Sequence, residues 1–302
     1  LSTCSRSMKT EIKIEDYQIT KGKGFELKDH ANALAKDLYE DKKDYEKELE
    51  DYREEIDDLQ NMMYAHDKHS LLLVFQAMDA AGKDGTIRHV MSGVNAHGVE
   101  VSAFKRPSDL ELEHDYLWRT NLALPPRGTV GIFNRSYYEE VLVCKVHPEI
   151  VTKYQKLPAG CTEDMEQLWK NRYRAIRDYE RYLTDNGTIV MKFFLNVSKD
   201  EQKRRFLDRI DRQEKNWKFS DGDIKERGYW DDYMEAYETA IRETATADCP
   251  WHVIPADDKK NMRLIVSKLI LEKLESMEMA YPELPEKQKA LLADCRARLE
   301  RE

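Results

Sequence analysis

The apolar pattern divides the chain before any single residue type is considered. Residues 27–65 are dense in Lys, Glu and Asp and hold neither Pro nor Gly. Within them Tyr45, Leu49, Tyr52, Ile56, Leu59 and Met63 recur at alternating spacings of four and three. That is a narrow stripe on a long helix, which either a second subunit or the helix's own domain would cover. Residues 71–75 then form an unbroken apolar run of strand length, the pattern of a strand buried on both faces. Further strands are predicted at 99–104, 129–133, 188–197 and 251–254. Helices are predicted at 109–119 behind a Ser108 cap, at 162–184 up to the stop Asp185-Asn186-Gly187, at 198–213, at 229–243 and from about 257. A polar loop is expected through Gly228. Strands alternating with helices at this spacing predict an α/β fold, a parallel sheet covered on both faces. Ahead of Thr20 only a short extended run, Ile12-Lys13-Ile14, stands out, and the residues after Pro282 read as a charged helical tail.

The central strand runs into Gln76-Ala77-Met78-Asp79-Ala80-Ala81-Gly82-Lys83-Asp84-Gly85-Thr86. Strand, small-residue loop, Lys and helix is the order of a phosphate-binding P-loop, which aims backbone N–H groups and a helix N-terminus at an anion. Ala77 stands where the first Gly of that motif belongs, and Asp84 where its Ser or Thr would hold Mg²⁺. The bland alternative is a strand-to-helix turn with a surface lysine. Asp79 and Asp84 flank Lys83, an odd choice for an anion site unless a divalent cation sits between protein and phosphate.

Ligands of open parallel sheets bind beyond the carboxyl ends of the strands. There the chain delivers Asp79, Lys83 and Asp84, then Lys105 and Arg106, then Asn134 and Arg135, then a basic helix with Lys203, Arg204, Arg205, Arg209 and Arg212. Charge collected at successive strand ends, in a chain of net charge −9, predicts a site for a polyanion. As a lid helix, the last segment would close arginines over phosphates; as a plain solvated face it would not. The same net charge argues against general nucleic-acid binding. With 35% charged residues and a mean hydropathy of −0.77, a soluble protein is expected, and no apolar run reaches a membrane span. Five scattered cysteines without a C-x-x-C pair read as free cytosolic thiols. The first residues lack an apolar signal core and look tag-like, with Met8 as the expected natural start.

Beyond the loop itself, Phe104-Lys105-Arg106-Pro107, Phe133-Asn134-Arg135-Ser136-Tyr137-Tyr138 and Gln202-Lys203-Arg204-Arg205-Phe206-Leu207-Asp208-Arg209-Ile210 resemble the second family of polyphosphate kinases. So do Trp217-Lys218-Phe219, Tyr229-Trp230-Asp231-Asp232-Tyr233 and Ile254-Pro255-Ala256-Asp257-Asp258-Lys259, in order from the acidic helix to about Ile270. The resemblance implies a P-loop kinase-like three-layer sandwich with a parallel sheet, a helical lid near 199–228 and a long N-terminal helix over 21–66. Residues 67–280 would be the phosphotransferase domain, preceded by the segment 1–20 and followed by the tail 281–302.

It further implies reversible transfer of the terminal phosphoryl group of inorganic polyphosphate to AMP and ADP, with guanine nucleotides as further acceptors. The implied cofactor is Mg²⁺, with Mn²⁺ as its substitute, and the implied setting a cytoplasmic homo-oligomer, dimer or tetramer, with no nucleic-acid or membrane partner. Carried onto this chain, Lys83, Asp79, Asp84 and Arg135 are the catalytic candidates, with Asp79 and Asp84 toward the metal. Ala81, Gly82, Gly85, Thr86, Lys105, Arg106, Asn134, Lys203, Arg204, Arg205 and Arg209 are the substrate-binding candidates. Asn134 stands where the family often has Asp, a departure that bears on metal ligation and points to the branch acting on both mono- and diphosphates. A nucleoside-phosphate kinase using ATP, or a helical interaction protein without activity, are the competing readings.

Overall fold

The computed structural model describes residues 12–217 and 219–302. The stretch ahead of Met8, Cys4 and Lys218 lie outside the described residues. Among the described residues six strands form one sheet: β1 (Gln18–Ile19), β2 (Ser70–Gln76), β3 (Val99–Ala103), β4 (Val130–Asn134), β5 (Thr188–Asn196) and β6 (Trp251–Pro255). Their order is β1-β6-β5-β2-β4-β3, and all neighbours are parallel except the short edge pair β1–β6. The apolar run 71–75 becomes β2 because it sits between β4 and β5, buried along its whole length. Register sets Phe75 beside both Asn134 and Phe193, so the carboxyl ends of the three central strands open at one level.

The main helices are α1 (Lys42–His66), α2 (Lys83–Val90), α3 (Met165–Asp185), α4 (Lys199–Asp211), α5 (Asp221–Gly228), α6 (Trp230–Thr244), α7 (Lys259–Glu275) and α8 (Glu286–Leu299). Helix α7 packs against α1 and α2, while α3 packs against β5 and α6. Side chains alternate across β5: Lys192 and Phe194 meet α3 and α6, and Phe193 stacks on Phe75 and His252. The sheet with a helical layer on each face is the α/β sandwich expected.

Several element boundaries differ from the pattern. The long helix starts at Lys42, where the Asp41 side chain accepts from the Asp44 N–H, not near residue 27. The preceding stretch is irregular because its backbone is bonded to strand ends and α7: Asn196 Nδ2 donates to the His30 carbonyl, the Asp257 N–H to the Asn32 carbonyl and the Leu38 N–H to Asn261 Oδ1. The α1 stripe is covered from within the chain. Tyr45, Leu49, Tyr52, Ile56 and Met63 are buried, Leu59 is partly buried, and α7 lies over the helix. The expected helix 109–119 shrinks to Asp109–Leu112, closed by a Ser108–Glu111 capping box, and a second turn at Trp118–Leu122. Within the supposed polar loop, Ser220 caps α5. In the short run ahead of Thr20, Lys13 is extended but Ile14 already opens a 3₁₀ turn.

One buried polar cluster fixes the segment after β4. Lys192 Nζ, fully buried, donates to Glu180 Oε2 at 2.6 Å, to the Tyr138 hydroxyl at 3.1 Å and to the Thr244 carbonyl at 2.9 Å. Its three donors are thereby matched, the condition under which a buried ammonium is tolerated. Tyr137 and Tyr138 each donate to Glu180 Oε1. The turn that begins at Arg135 is therefore anchored in the core.

Candidate active site

Between β2 and α2 the chain turns through Ala80 at φ +63° and Gly82 at φ +107°. Gly82 sits in the left-handed region and opens α2, where a side chain would be strained; Ala80 holds its own positive φ with a Cβ in place. The turn brings Asp79, Lys83 and Asp84 to the rim of a cleft of about 460 Å³. From β3 come Phe104 and Lys105, from β4 Asn134 and Arg135, from α4 Arg205, Asp208 and Arg209, then Lys215, and from α7 Lys259 and Arg263. These are the strand ends singled out from the sequence, now on one cavity.

Lys83 folds back so that Nζ donates to the Ala77 carbonyl at 2.7 Å. Burial lowers its pKa, with Asp79 acting in the opposite direction and Arg135 adding to the fall. Arg135, at φ +63°, pairs with Asp79 Oδ1 at 3.1 Å. Burial works against its charge, but Glu139 and Asp79 outweigh it and the pKa is raised. Asn134 Nδ2 donates to Asp84 Oδ1 at 2.5 Å. Gln76 Nε2 donates to Glu139 Oε1 at 2.9 Å, holding that carboxylate beside Arg135. The cleft thus alternates carboxylates with cations around the loop.

Not every candidate reaches it. Thr86 is fully buried, its hydroxyl directed at the Met262 sulfur, and Ala81 is buried beneath the turn. Arg106 lies over the Tyr154 ring instead of the cleft. Arg204 is exposed and paired twice with Glu201, and Lys203 is exposed; neither lines the cavity. Arg205 lines it but is engaged with loop carbonyls. Arg209 lines it with an Asp223 carboxylate 3.8 Å away. Lys215, Lys259 and Arg263 were missed. Lys259 follows the end of β6, so the same strand-end rule would have found it. Its pKa is lowered by burial and then by Arg205, Lys215 and Arg263, the mark of cations gathered without enough negative charge.

Among the described residues no three His, Cys, Asp or Glu side chains group as a metal cage. Asp79 and Asp84 are the two carboxylates at the loop. A donor set of two hard oxygen ligands suits Mg²⁺, which keeps several waters and takes other ligands from phosphates. No helix among the described residues is long and apolar enough to cross a membrane.

A family model for polyphosphate kinase 2 matches residues 39–282. An ADP-polyphosphate phosphotransferase of Rhodopseudomonas palustris is 51% identical over 284 residues, covering 93% of this chain and 97% of that one. An AMP/ADP-polyphosphate phosphotransferase of Meiothermus ruber is 48% identical over 225 residues, 74% of this chain and 79% of that one. Among solved structures, the crystal structure of polyphosphate kinase 2 from Arthrobacter aurescens superposes with a TM-score of 0.81 at 37% identity, covering 93% of this chain and 96% of that one.

Proposed function

Because the chain belongs to the polyphosphate kinase 2 family, we propose that its cleft transfers the terminal phosphoryl group of inorganic polyphosphate to AMP and to ADP. The observation that carries this reading is the convergence of Lys83, Lys105, Arg135, Arg209, Lys215, Lys259 and Arg263 on one cavity in an acidic protein. A terminal phosphate oxygen of the nucleotide attacks the last phosphorus of polyphosphate. The bridging P–O bond breaks, and the shortened chain leaves as an anion. The attacking oxygen is already ionised at neutral pH, so no general base is needed. One anhydride replaces another, which makes the step reversible.

Catalysis then rests on positioning two polyanions and offsetting their charge. In this reading Lys83 serves the transferring phosphoryl group, Arg135 and Lys105 serve the acceptor side, and Arg209, Lys215, Lys259 and Arg263 serve the chain behind the reacting end. Mg²⁺, or Mn²⁺ in its place, would sit toward Asp79 and Asp84 and neutralise phosphate charge. Helices α4 and α5 form the lid. The free thiols of Cys144, Cys161, Cys249 and Cys295 fit a cytoplasmic setting. A homo-oligomer would have to use a surface other than the α1 stripe.

The experiment supplies polyphosphate as sole donor with AMP, ADP or GDP and Mg²⁺, and separates products by anion exchange. ADP and ATP are expected from AMP and ADP. Product formation only when ATP is the donor would favour the ATP-dependent kinase instead.

A further inference from the structure

Arg205 was expected among the phosphate ligands, and its hydrogen bonds say otherwise. Nε donates to Glu201 Oε1 at 2.6 Å. Nη1 donates to the carbonyls of Ala80 at 3.0 Å and Ala81 at 2.6 Å. Nη2 donates to the carbonyls of Ala256 at 2.7 Å and Asp257 at 3.0 Å. A guanidinium has five N–H donors in a rigid plane, and here each has a partner. The side chain is 5% exposed. Binding phosphate would mean releasing a backbone carbonyl that has no other described partner in this cluster, at the cost of an unsatisfied buried acceptor.

The carbonyls it holds belong to two separate turns. One is the P-loop turn, where Ala80 keeps a positive φ that a residue with a Cβ seldom adopts without support. The other leads from β6 into α7 and carries Lys259 into the cleft. Gln202, on the preceding turn of α4, donates to the Asp79 carbonyl at 2.9 Å, and Arg227 of α5 donates to Gln202 Oε1. The root of α4 therefore grips three successive P-loop carbonyls, Asp79 to Ala81.

We propose that Arg205 is a positioning residue, which clamps the P-loop turn to the start of α7 so that Lys83 and Lys259 face one cavity, and that it does not bind polyphosphate. Lysine cannot replace it. An ammonium presents three donors from a single point and cannot span two turns from within one plane. The clamp itself needs no substrate; only the kinetic arm of its test rests on the proposed polyphosphate activity.

The test uses Arg205→Lys, which keeps the charge, beside Arg209→Ala. Hydrogen exchange is followed by mass spectrometry on the substrate-free protein. Amides of residues 79–85 and 256–259 should exchange at least about tenfold faster in Arg205→Lys, with β2 and β5 as protected as in wild type. In turnover with polyphosphate and ADP, kcat should fall by about 10²-fold from the misplaced loop. The polyphosphate KM should stay within about threefold and keep its wild-type salt dependence. Unchanged exchange with a raised polyphosphate KM and a flatter salt dependence would make Arg205 a phosphate ligand and overturn the proposal. Loss of protection throughout the chain would overturn it too, since the role would then be global stability. If wild type proved inactive with polyphosphate, the exchange result would still decide the clamp.

Discussion

Asn134 Nδ2 donates to Asp84 Oδ1 at 2.5 Å, joining the end of β4 to the first turn of α2. An amide here holds the carboxylate without adding charge, so this side of the cleft carries one negative group where an Asp pair would carry two. Asn134→Asp should place two carboxylates side by side, repelling each other unless a cation bridges them. The variant should melt below wild type in chelator and recover on adding Mg²⁺, while wild type responds less. Equal responses of the two proteins to Mg²⁺ would separate position 134 from the metal.

Lys83 follows Gly82 at the end of the loop, its Nζ held on the Ala77 carbonyl at 2.7 Å. Its removal should lower turnover by about 10²-fold or more, because charge developing in the transition state loses its nearest compensation. Melting temperature should hardly move, since the side chain makes one short-range backbone contact. Lys83→Ala retaining more than about a tenth of wild-type kcat would remove it from the transition state.

The central strand, the strand-end cations and the basic helix were all legible, because each depends on local periodicity or on the rule that ligands gather at strand ends. What escaped depends on contacts distant in sequence. Residues 27–41 carry helix-forming composition, yet Asn196, Asp257 and Asn261 capture their backbone groups. The basic helix after β5 carries Arg205 beside Arg209 and Arg212, but no local pattern shows that the carbonyls of Ala80 and Ala256 claim the first of them. Lys259 obeys the same strand-end rule, opening α7 shortly after β6.

The α1 stripe yields a stability prediction. Leu49 and Ile56 are 3% and 1% exposed, beneath α7. Leu49→Asp or Ile56→Asp buries an unpaired carboxylate and should cost more than about 3 kcal/mol. Urea denaturation would show the loss, and light scattering the same particle mass for folded variant and wild type. A changed mass with unchanged stability would return the stripe to a subunit contact.

His252 links stability to pH. Its ring stacks on Phe193, and Nδ1 donates to the Lys192 carbonyl at 3.1 Å. Burial brings its pKa from 6.5 down to about 4. The unfolded chain takes up the proton below 6.5 and the folded one only below about 4, so the native state is favoured fully above this window and progressively less as pH falls through it. The full effect is about 3 kcal/mol. Urea unfolding at pH 7 and pH 5 should show wild type losing about 2 kcal/mol more than His252→Asn. Parallel losses would mean the imidazole is protonated as easily folded as unfolded.

The proposed activity requires that the cations behind Lys83 hold polyphosphate while the loop transfers its end. Its most direct test is the KM for polyphosphate and for ADP, measured across ionic strength in wild type, Arg209→Ala and Lys259→Ala. Wild type should make ATP from polyphosphate, and each variant should raise the polyphosphate KM by about tenfold through a lost charge-assisted contact. The ADP KM should stay within about threefold, and the polyphosphate KM should depend less on salt than in wild type. Equal losses for both substrates with wild-type salt dependence, or no ATP from polyphosphate in wild type, would contradict the account.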